Sequence, residues 1–348
     1  MQTHPAVVHY ALQPHAVELR EVPVPGVGEG EVLLRVGGVS VCGSDVHQAR
    51  NTHSWAVNVP VVLGHEFGGT VARVGPGVKR FREGDRVVCE TAAEICGNCL
   101  LCRTGRYNLC PSRKGFGYGL DGAMAHWIRV PARCLHHIPD SLPFDIACLA
   151  EPHSVAYQTM CVNSNIRPGD LVVVFGPGPI GLLCARMAAL SGADPLIVAG
   201  VSADAPRLEA ARRLGATYTV DVQTQNLEEI VRSCRPEGAD VVCDATGVSR
   251  TVNDALRMTR PDGQITKVGW SPDNVTIDMN PLVLRNIRLQ GSFSHNYPVW
   301  ERVIHLLDRR LTLPDTIVGM RTGLENWREA FDAMHDRRVI KSVLLPNE

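Results

Sequence analysis

Five apolar residues, Leu171-Val172-Val173-Val174-Phe175, run without a break into Gly176-Pro177-Gly178-Pro179-Ile180-Gly181. That junction limits the fold more than any other stretch. A continuous apolar run rich in valine marks a strand covered on both faces, which calls for helices on either side of a parallel sheet. The G-x-G-x-x-G spacing opens a helix expected over 180–190, so backbone amides and a helix N-terminus converge where a pyrophosphate can sit. Gly176, Gly178, Pro179, Ile180 and Gly181 are therefore the candidate contacts to a dinucleotide. Further strands are expected at 196–199, 218–220, 240–243, 264–268 and 288–293, with helical spacing at 205–214, 226–234 and 251–259. Six parallel strands are the natural count for a dinucleotide-binding domain.

The end of the second strand leaves the coenzyme open. Leu196-Ile197-Val198-Ala199 runs into Gly200-Val201-Ser202 and offers no carboxylate for the ribose hydroxyls. Asp204 comes slightly late and reads equally as the cap of the next helix. Ser202 and Arg207 are the remaining candidates, the arginine within reach of a 2′-phosphate, so NAD and NADP both stand.

Upstream of Pro152 the texture changes. Short alternating segments at 16–22, 31–36, 68–74, 85–89 and 124–130, punctuated by Gly and Pro, read as an all-β domain. A chain of 348 residues is longer than one core usually supports, so two domains are expected. The long irregular excursion at about 91–122 holds Cys96, Cys99, Cys102 and Cys110 and needs something other than a core to order it. Four thiolates at that spacing close a tetrahedral zinc shell, a structural site with no open position. Iron–sulfur ligation is the competing reading, and the lack of a second cluster motif favours zinc.

The chain has 12 cysteines and no export signal, which points to metal or reduced thiols rather than a disulfide framework. No apolar run approaches the roughly 20 residues that span a bilayer. A formal net charge of -1 supplies no electrostatic reason to bind nucleic acid or an anionic membrane. A soluble cytoplasmic protein is expected.

Three polar stretches remain: Cys42-Gly43-Ser44-Asp45-Val46-His47, Gly64-His65-Glu66-Phe67-Gly68-Gly69 and Glu151-Pro152. Each alone has a plain explanation, such as a buried cysteine, a capping serine or a surface His-Glu pair. Neighbours on a strand point to opposite faces, so His65 and Glu66 can meet one ion only where the backbone turns, and the flanking glycines permit that. Catalytic zinc takes a few protein donors and keeps an open position, and Cys, His and Glu are suitable donors.

With those motifs, the four-cysteine lobe and Gly176 to Gly181 in this order, the chain resembles the zinc-dependent medium-chain dehydrogenase/reductase superfamily over essentially its whole length. Glu151-Pro152, where many alcohol dehydrogenases of that superfamily place a cysteine ligand, makes it similar to the sorbitol (polyol) dehydrogenase branch. The resemblance implies an α/β protein that joins a GroES-like β-rich catalytic domain to a Rossmann doubly wound parallel sheet. The catalytic domain is then 1–152 with 292–348, and 153–291 binds NAD(P). By the same resemblance Cys42, His65 and Glu66 ligate catalytic zinc, and Glu151 holds the zinc water or replaces it. Ser44 and His47 are similar to the family's hydroxyl and imidazole near the coenzyme ribose, from which a proton passes to solvent.

The implied activity is reversible NAD(P)-dependent oxidation of a secondary alcohol, with two zincs per chain, one catalytic and one structural. Where polyol dehydrogenases carry an Arg-Tyr pair, this chain has Phe293-Ser294-His295-Asn296-Tyr297, which widens the substrate to a polyol, cyclitol or sugar, or to threonine or a simple secondary alcohol. A homodimer or homotetramer is implied, with 288–293 as a pairing edge. A non-catalytic zinc protein using the locally basic Arg103, Arg106, Arg113 and Lys114 would hold one zinc, and a zinc-free reductase of the same fold would need neither Cys42 nor His65.

Overall fold

The computed structural model describes residues 2–270 and 274–347. The chain folds as two compact units, Met1–Glu151 with His295–Glu348, and Pro152–Ser294.

The second unit is a six-stranded sheet in the spatial order Tyr218–Asp221, Leu196–Gly200, Val172–Phe175, Ala239–Asp244, Thr259–Lys267, Arg288–Gly291. Every pairing is parallel. Val172, Val173 and Val174 are all fully buried, as a strand covered on both faces requires. Leu227, Val231, Ala255 and Leu256 pack with Val173 and Ile197 in one apolar cluster. The helix Pro179–Leu190 buries Leu182, Leu183 and Met187. Strand order reverses beside Val172–Phe175, so its C-terminal end is a topological switch point, where open sheets of this kind bind ligands. The strand expected at 264–268 begins earlier, at Thr259, because the pairing shifts register between Ala239 and Val241 and absorbs the turn-like Pro261-Asp262-Gly263.

The first unit holds a seven-stranded sheet ordered Val318–Thr322, Lys341–Leu344, Glu31–Ser40, Glu66–Val74, Arg86–Cys89, Leu135–His137, with Trp127–Pro131 also pairing Glu31–Ser40. A three-stranded sheet adds Val17–Pro23, Thr3–His9 and Val61–Val62. Val32, Leu34, Val36, Phe67 and Val71 form the main core of this unit with Trp327 and Phe331 of the helix Trp327–His335.

Residues 1–151 are not all β. Helices span Gly43–Ala49, Leu100–Arg103, Phe144–Ala147 and, from Ala150, the segment to Tyr157. The first arises because the Asp45 carboxylate reaches back to accept the Cys42 N–H at 2.8 Å, which satisfies a donor that a helix start would otherwise leave open. Among the described residues no helix is long and apolar enough to cross a membrane.

Candidate active site and metal centres

Cys42, His65 and Glu66 bring one donor atom each to within 4.8 Å of one another. Cys42 is the extended residue before the helix Gly43–Ala49, and Glu66 opens the strand Glu66–Val74. Between them the chain must turn at Gly64, which sits at φ +95°, where an added Cβ would lie 2.8 Å from Met124 Cγ. Only glycine takes that backbone without strain.

The surrounding groups leave particular atoms bare. Glu66 is fully buried, and its Oε2 accepts from Lys341 Nζ at 2.6 Å and from Ser40 Oγ in a short hydrogen bond. Its Oε1 has no hydrogen-bond partner, and neither has His65 Nδ1 or Asp45 Oδ1, which stand 3.7 Å apart. A buried polar atom without a partner is costly, and a cation held by Cys, His and Glu donors removes that cost at Glu66 Oε1, while His65 Nδ1 faces the Asp45 carboxylate. Burial opposes protonation of His65, yet the Asp45 carboxylate and the Cys42 sulfur outweigh it and hold the imidazole pKa well above its ordinary value. A positive charge is thus favoured at this point whether a proton or a metal brings it, and the donor set fits zinc.

Glu151 lies outside the three-residue cluster. Its Oε1 meets His295 Nε2 at 3.0 Å, and Trp300 Nε1 donates to His295 Nδ1 at 2.7 Å. Burial works against the charged carboxylate, but the His295 hydrogen bond, the imidazoles of His295 and His65, and Lys341 bring the Glu151 pKa below its usual value. Ser44 Oγ stands 3.5 Å from His65 Nε2. His47, one helical turn on, contacts Thr52 Oγ1 at 2.8 Å and is exposed.

The second cluster is Cys96, Cys99, Cys102 and Cys110, also within 4.8 Å of one another. Sulfurs accept from the backbone N–H of Cys99, Cys102 and Cys96, each at 3.4 Å. N–H groups of Asn98 and Cys99 bring the Cys96 thiol down to about 6. Of the nearby basic residues, Arg113 donates to Tyr118 Oη and Thr91 Oγ1, and Lys114 pairs with Glu94 at 2.8 Å. Tyr107 donates to Glu90 Oε2 at 2.6 Å and accepts the Tyr297 N–H at 2.7 Å. All 12 cysteines are free.

In the second unit, Gly176 has φ +89°, and a Cβ on Gly181 would fall 1.8 Å from Gly176 O. Gly178 caps the helix, Pro179 is its first residue, and Ile180 is half-buried behind it. Those features hold the backbone amides at the strand end. Gly200 now has a physical reason: an added Cβ would sit 2.8 Å from Pro177 Cγ, so a side chain there would push into the glycine turn. Asp204 accepts from the Val201 N–H at 3.3 Å, and a second carboxylate comes from the neighbouring strand. Asp221 is in register with Gly200, accepts from Ser202 Oγ at 2.5 Å, and has its pKa lowered by that bond. Arg207 pairs with Asp204 at 3.6 Å, its side chain 14% exposed.

Sequence patterns did not single out Asp45, Ser40, Lys341, Trp300 or Asp221. The Cys42-x-x-Asp45 spacing was a capping signal for the first.

The alcohol dehydrogenase GroES-like domain model matches residues 28–140, and the zinc-binding dehydrogenase model matches residues 179–309. The chain is 36% identical over 329 residues to D-arabitol-phosphate dehydrogenase of Enterococcus avium, covering 94% of this chain and 93% of that one. It is 34% identical over 348 residues to sorbitol dehydrogenase of Halalkalibacterium halodurans, with 99% and 98% covered. An L-threonine 3-dehydrogenase of Pyrococcus horikoshii is 34% identical over 338 residues, with 95% of each chain covered. Among solved structures, a zinc-binding dehydrogenase from Sinorhizobium meliloti bound to NADP superposes with a TM-score of 0.92 at 28% identity, covering 99% of this chain and 100% of that one.

Proposed function

The chain belongs to the zinc-dependent medium-chain dehydrogenase/reductase superfamily, and on that premise we propose that it oxidises a secondary alcohol of the polyol, cyclitol or sugar class to the ketone, reversibly, with NAD(P). The observation that carries this reading is the meeting of Cys42, His65 and Glu66, the last with a buried, unpartnered oxygen, together with a Glu151 whose carboxyl pKa is lowered. Bound there, zinc supplies Lewis acidity to an alcohol oxygen, and NAD(P) supplies the hydride acceptor.

The protein's own groups do the rest. Lys341 and Ser40 occupy one oxygen of Glu66 and present the other. Asp45 orients His65, as carboxylates commonly do behind metal-binding imidazoles. Ser44 Oγ, beside His65, relays the proton released by the substrate hydroxyl, giving up its own as it accepts, and His47 releases the relayed proton to solvent. Partial burial, then His335 and His53, lower the His47 pKa, which keeps the ring neutral and able to accept that proton at physiological pH. Cys96, Cys99, Cys102 and Cys110 hold the second, structural zinc.

NAD is the expected coenzyme, held at its pyrophosphate by Gly176, Gly178 and Gly181. The anionic Asp221 beside Gly200 opposes a 2′-phosphate, and Arg207 is committed to Asp204. Threonine is the second substrate reading, favoured by the similarity to L-threonine 3-dehydrogenases. All four residues of the edge strand Arg288–Gly291 are exposed, which supports a homodimer or homotetramer built on that edge. The free cysteines favour a reducing compartment, the cytoplasm.

The test combines metal content with absorbance at the reduced-nicotinamide band. Polyols, polyol phosphates, cyclitols, threonine and 2,3-butanediol are offered with NAD and NADP separately. Two zincs per chain and NAD-preferring turnover of a polyol or cyclitol are expected. A single zinc with no turnover of any alcohol would overturn the reading.

A further inference from the structure

Glu151 is held by a side chain whose protonation pattern follows from its partners. An indole N–H can only donate, so the 2.7 Å contact from Trp300 Nε1 makes His295 Nδ1 an acceptor without a proton. The imidazole proton is then on Nε2, which donates to Glu151 Oε1 at 3.0 Å. The result is one tautomer, with its N–H aimed at the Glu151 carboxylate. Neither ring can readily turn away: His295 is 1% exposed and Trp300 fully buried. The indole stacks on His136, with ring centroids 5.5 Å apart and planes 10° from parallel. His136 is in turn held between Glu90 Oε1 at 3.0 Å and Glu301 Oε1 at 2.5 Å.

We propose that His295 is a positioning residue: set by Trp300 as the Nε2–H tautomer, it pins one oxygen of Glu151 and so fixes that carboxylate beside the Cys42–His65–Glu66 cluster. This rests on the reading of that cluster as the catalytic metal centre.

The experiment compares full-length His295→Leu, His295→Gln and Trp300→Phe, each with cobalt at the Cys42 centre and zinc in the four-cysteine lobe. Leucine removes both hydrogen bonds. Glutamine restores both, because its amide accepts from the indole and donates to Glu151. The expected result for His295→Leu is a shifted visible cobalt band and a fall of about 10- to 100-fold in kcat with a smaller change in KM. His295→Gln is expected to recover both readouts, and Trp300→Phe to shift the band in the same direction by less. An unchanged cobalt band in His295→Leu overturns the proposal, and so does equal damage from leucine and glutamine, which would mark a packing role. If His295→Leu does not fold, Trp300→Phe decides, an unchanged band and kcat counting against the proposal. Failure of the wild-type chain to take up a second metal would instead sink the metal-centre reading itself.

Discussion

The two candidate metal clusters lie in the same unit and obtain their order from opposite sources. Cys42, His65 and Glu66 are far apart in sequence and borrow their positions from regular elements: a helix start, a glycine turn and the first residue of a strand. Behind them stand Asp45, Ser40 and Lys341, each at most 1% exposed. Cys96, Cys99, Cys102 and Cys110 lie close together in sequence and carry little regular structure beyond the four-residue helix Leu100–Arg103 and the short 3-10 helix Tyr107–Leu109. Cys96 is exposed, and only Cys110 among the four is buried. Donors fixed by a scaffold can leave one face of an ion open for chemistry, whereas donors that depend on the ion for their own order must surround it.

Removing one ligand from each cluster is the strongest way to break this contrast. Cys42→Ser is expected to lower kcat/KM by at least about a thousandfold while leaving the melting temperature nearly unchanged, since the Lewis acid is worth several kcal/mol and each 1.36 kcal/mol is tenfold. Cys99→Ser is expected to lower the melting temperature by about 5–10 °C with turnover at 25 °C falling by no more than about tenfold. Steady-state kinetics, calorimetry and zinc content read both variants, and matching losses in the two would erase the distinction.

The scaffold behind the first cluster can be tested next. Lys341→Met leaves the buried Glu66 carboxylate without its cation, which costs about 3–5 kcal/mol in chemical denaturation of zinc-free protein. Adding Glu66→Gln is expected to recover most of that loss. Burial opposes the charge on Lys341, but Glu66 and Cys42 outweigh it and raise its pKa. A group raised on folding stabilises fully below its unfolded pKa and loses that only as pH climbs through the folded value, so the wild-type advantage over Lys341→Met is expected to hold or grow up to about pH 9. An advantage that shrinks between about pH 7 and 9 would refute the ion pair.

The smallest effect sharpens the other side. In metal-stripped protein the Cys96 thiol lies at about 6 and Cys102 at about 12, so iodoacetamide at neutral pH is expected to label Cys96 first and Cys102 last, as read by peptide mass. Equal labelling would mean that the empty loop does not preorganise its sulfurs.

Regular patterns were the legible part of this molecule. The run Leu171 to Phe175 and the glycines after it are local signals, and the strand, turn and helix stand where those signals put them. The helix Gly43–Ala49 is only seven residues long, too short for apolar periodicity to show, and the bond that starts it comes from Asp45. Lys341 reaches Glu66 only because the strand Lys341–Leu344 pairs with Glu31–Ser40, which in turn pairs with Glu66–Val74. That is a register across three distant segments, with no local pattern to announce it. The missing acid at Gly200 was visible, but its cause, the ring of Pro177, required the turn and the strand end to be seen together.

Tyr107 gives the four-cysteine loop one further property. Its oxygen accepts the N–H of Tyr297, the first residue of the helix Tyr297–Asp308, whose preceding Asn296 makes no side-chain cap of its own. Asn296 also donates to Gly105 O at 3.1 Å. Surface loops ordinarily tolerate changes in length, because nothing else depends on where their middle residues lie. Here the spacing between Cys102 and Cys110 sets the height of a phenol that completes a helix almost two hundred residues later in the chain. An insertion between those cysteines would therefore uncap a distant helix even if all four sulfurs kept their ion, and relatives of this chain are expected to vary in length elsewhere in the lobe before they vary there.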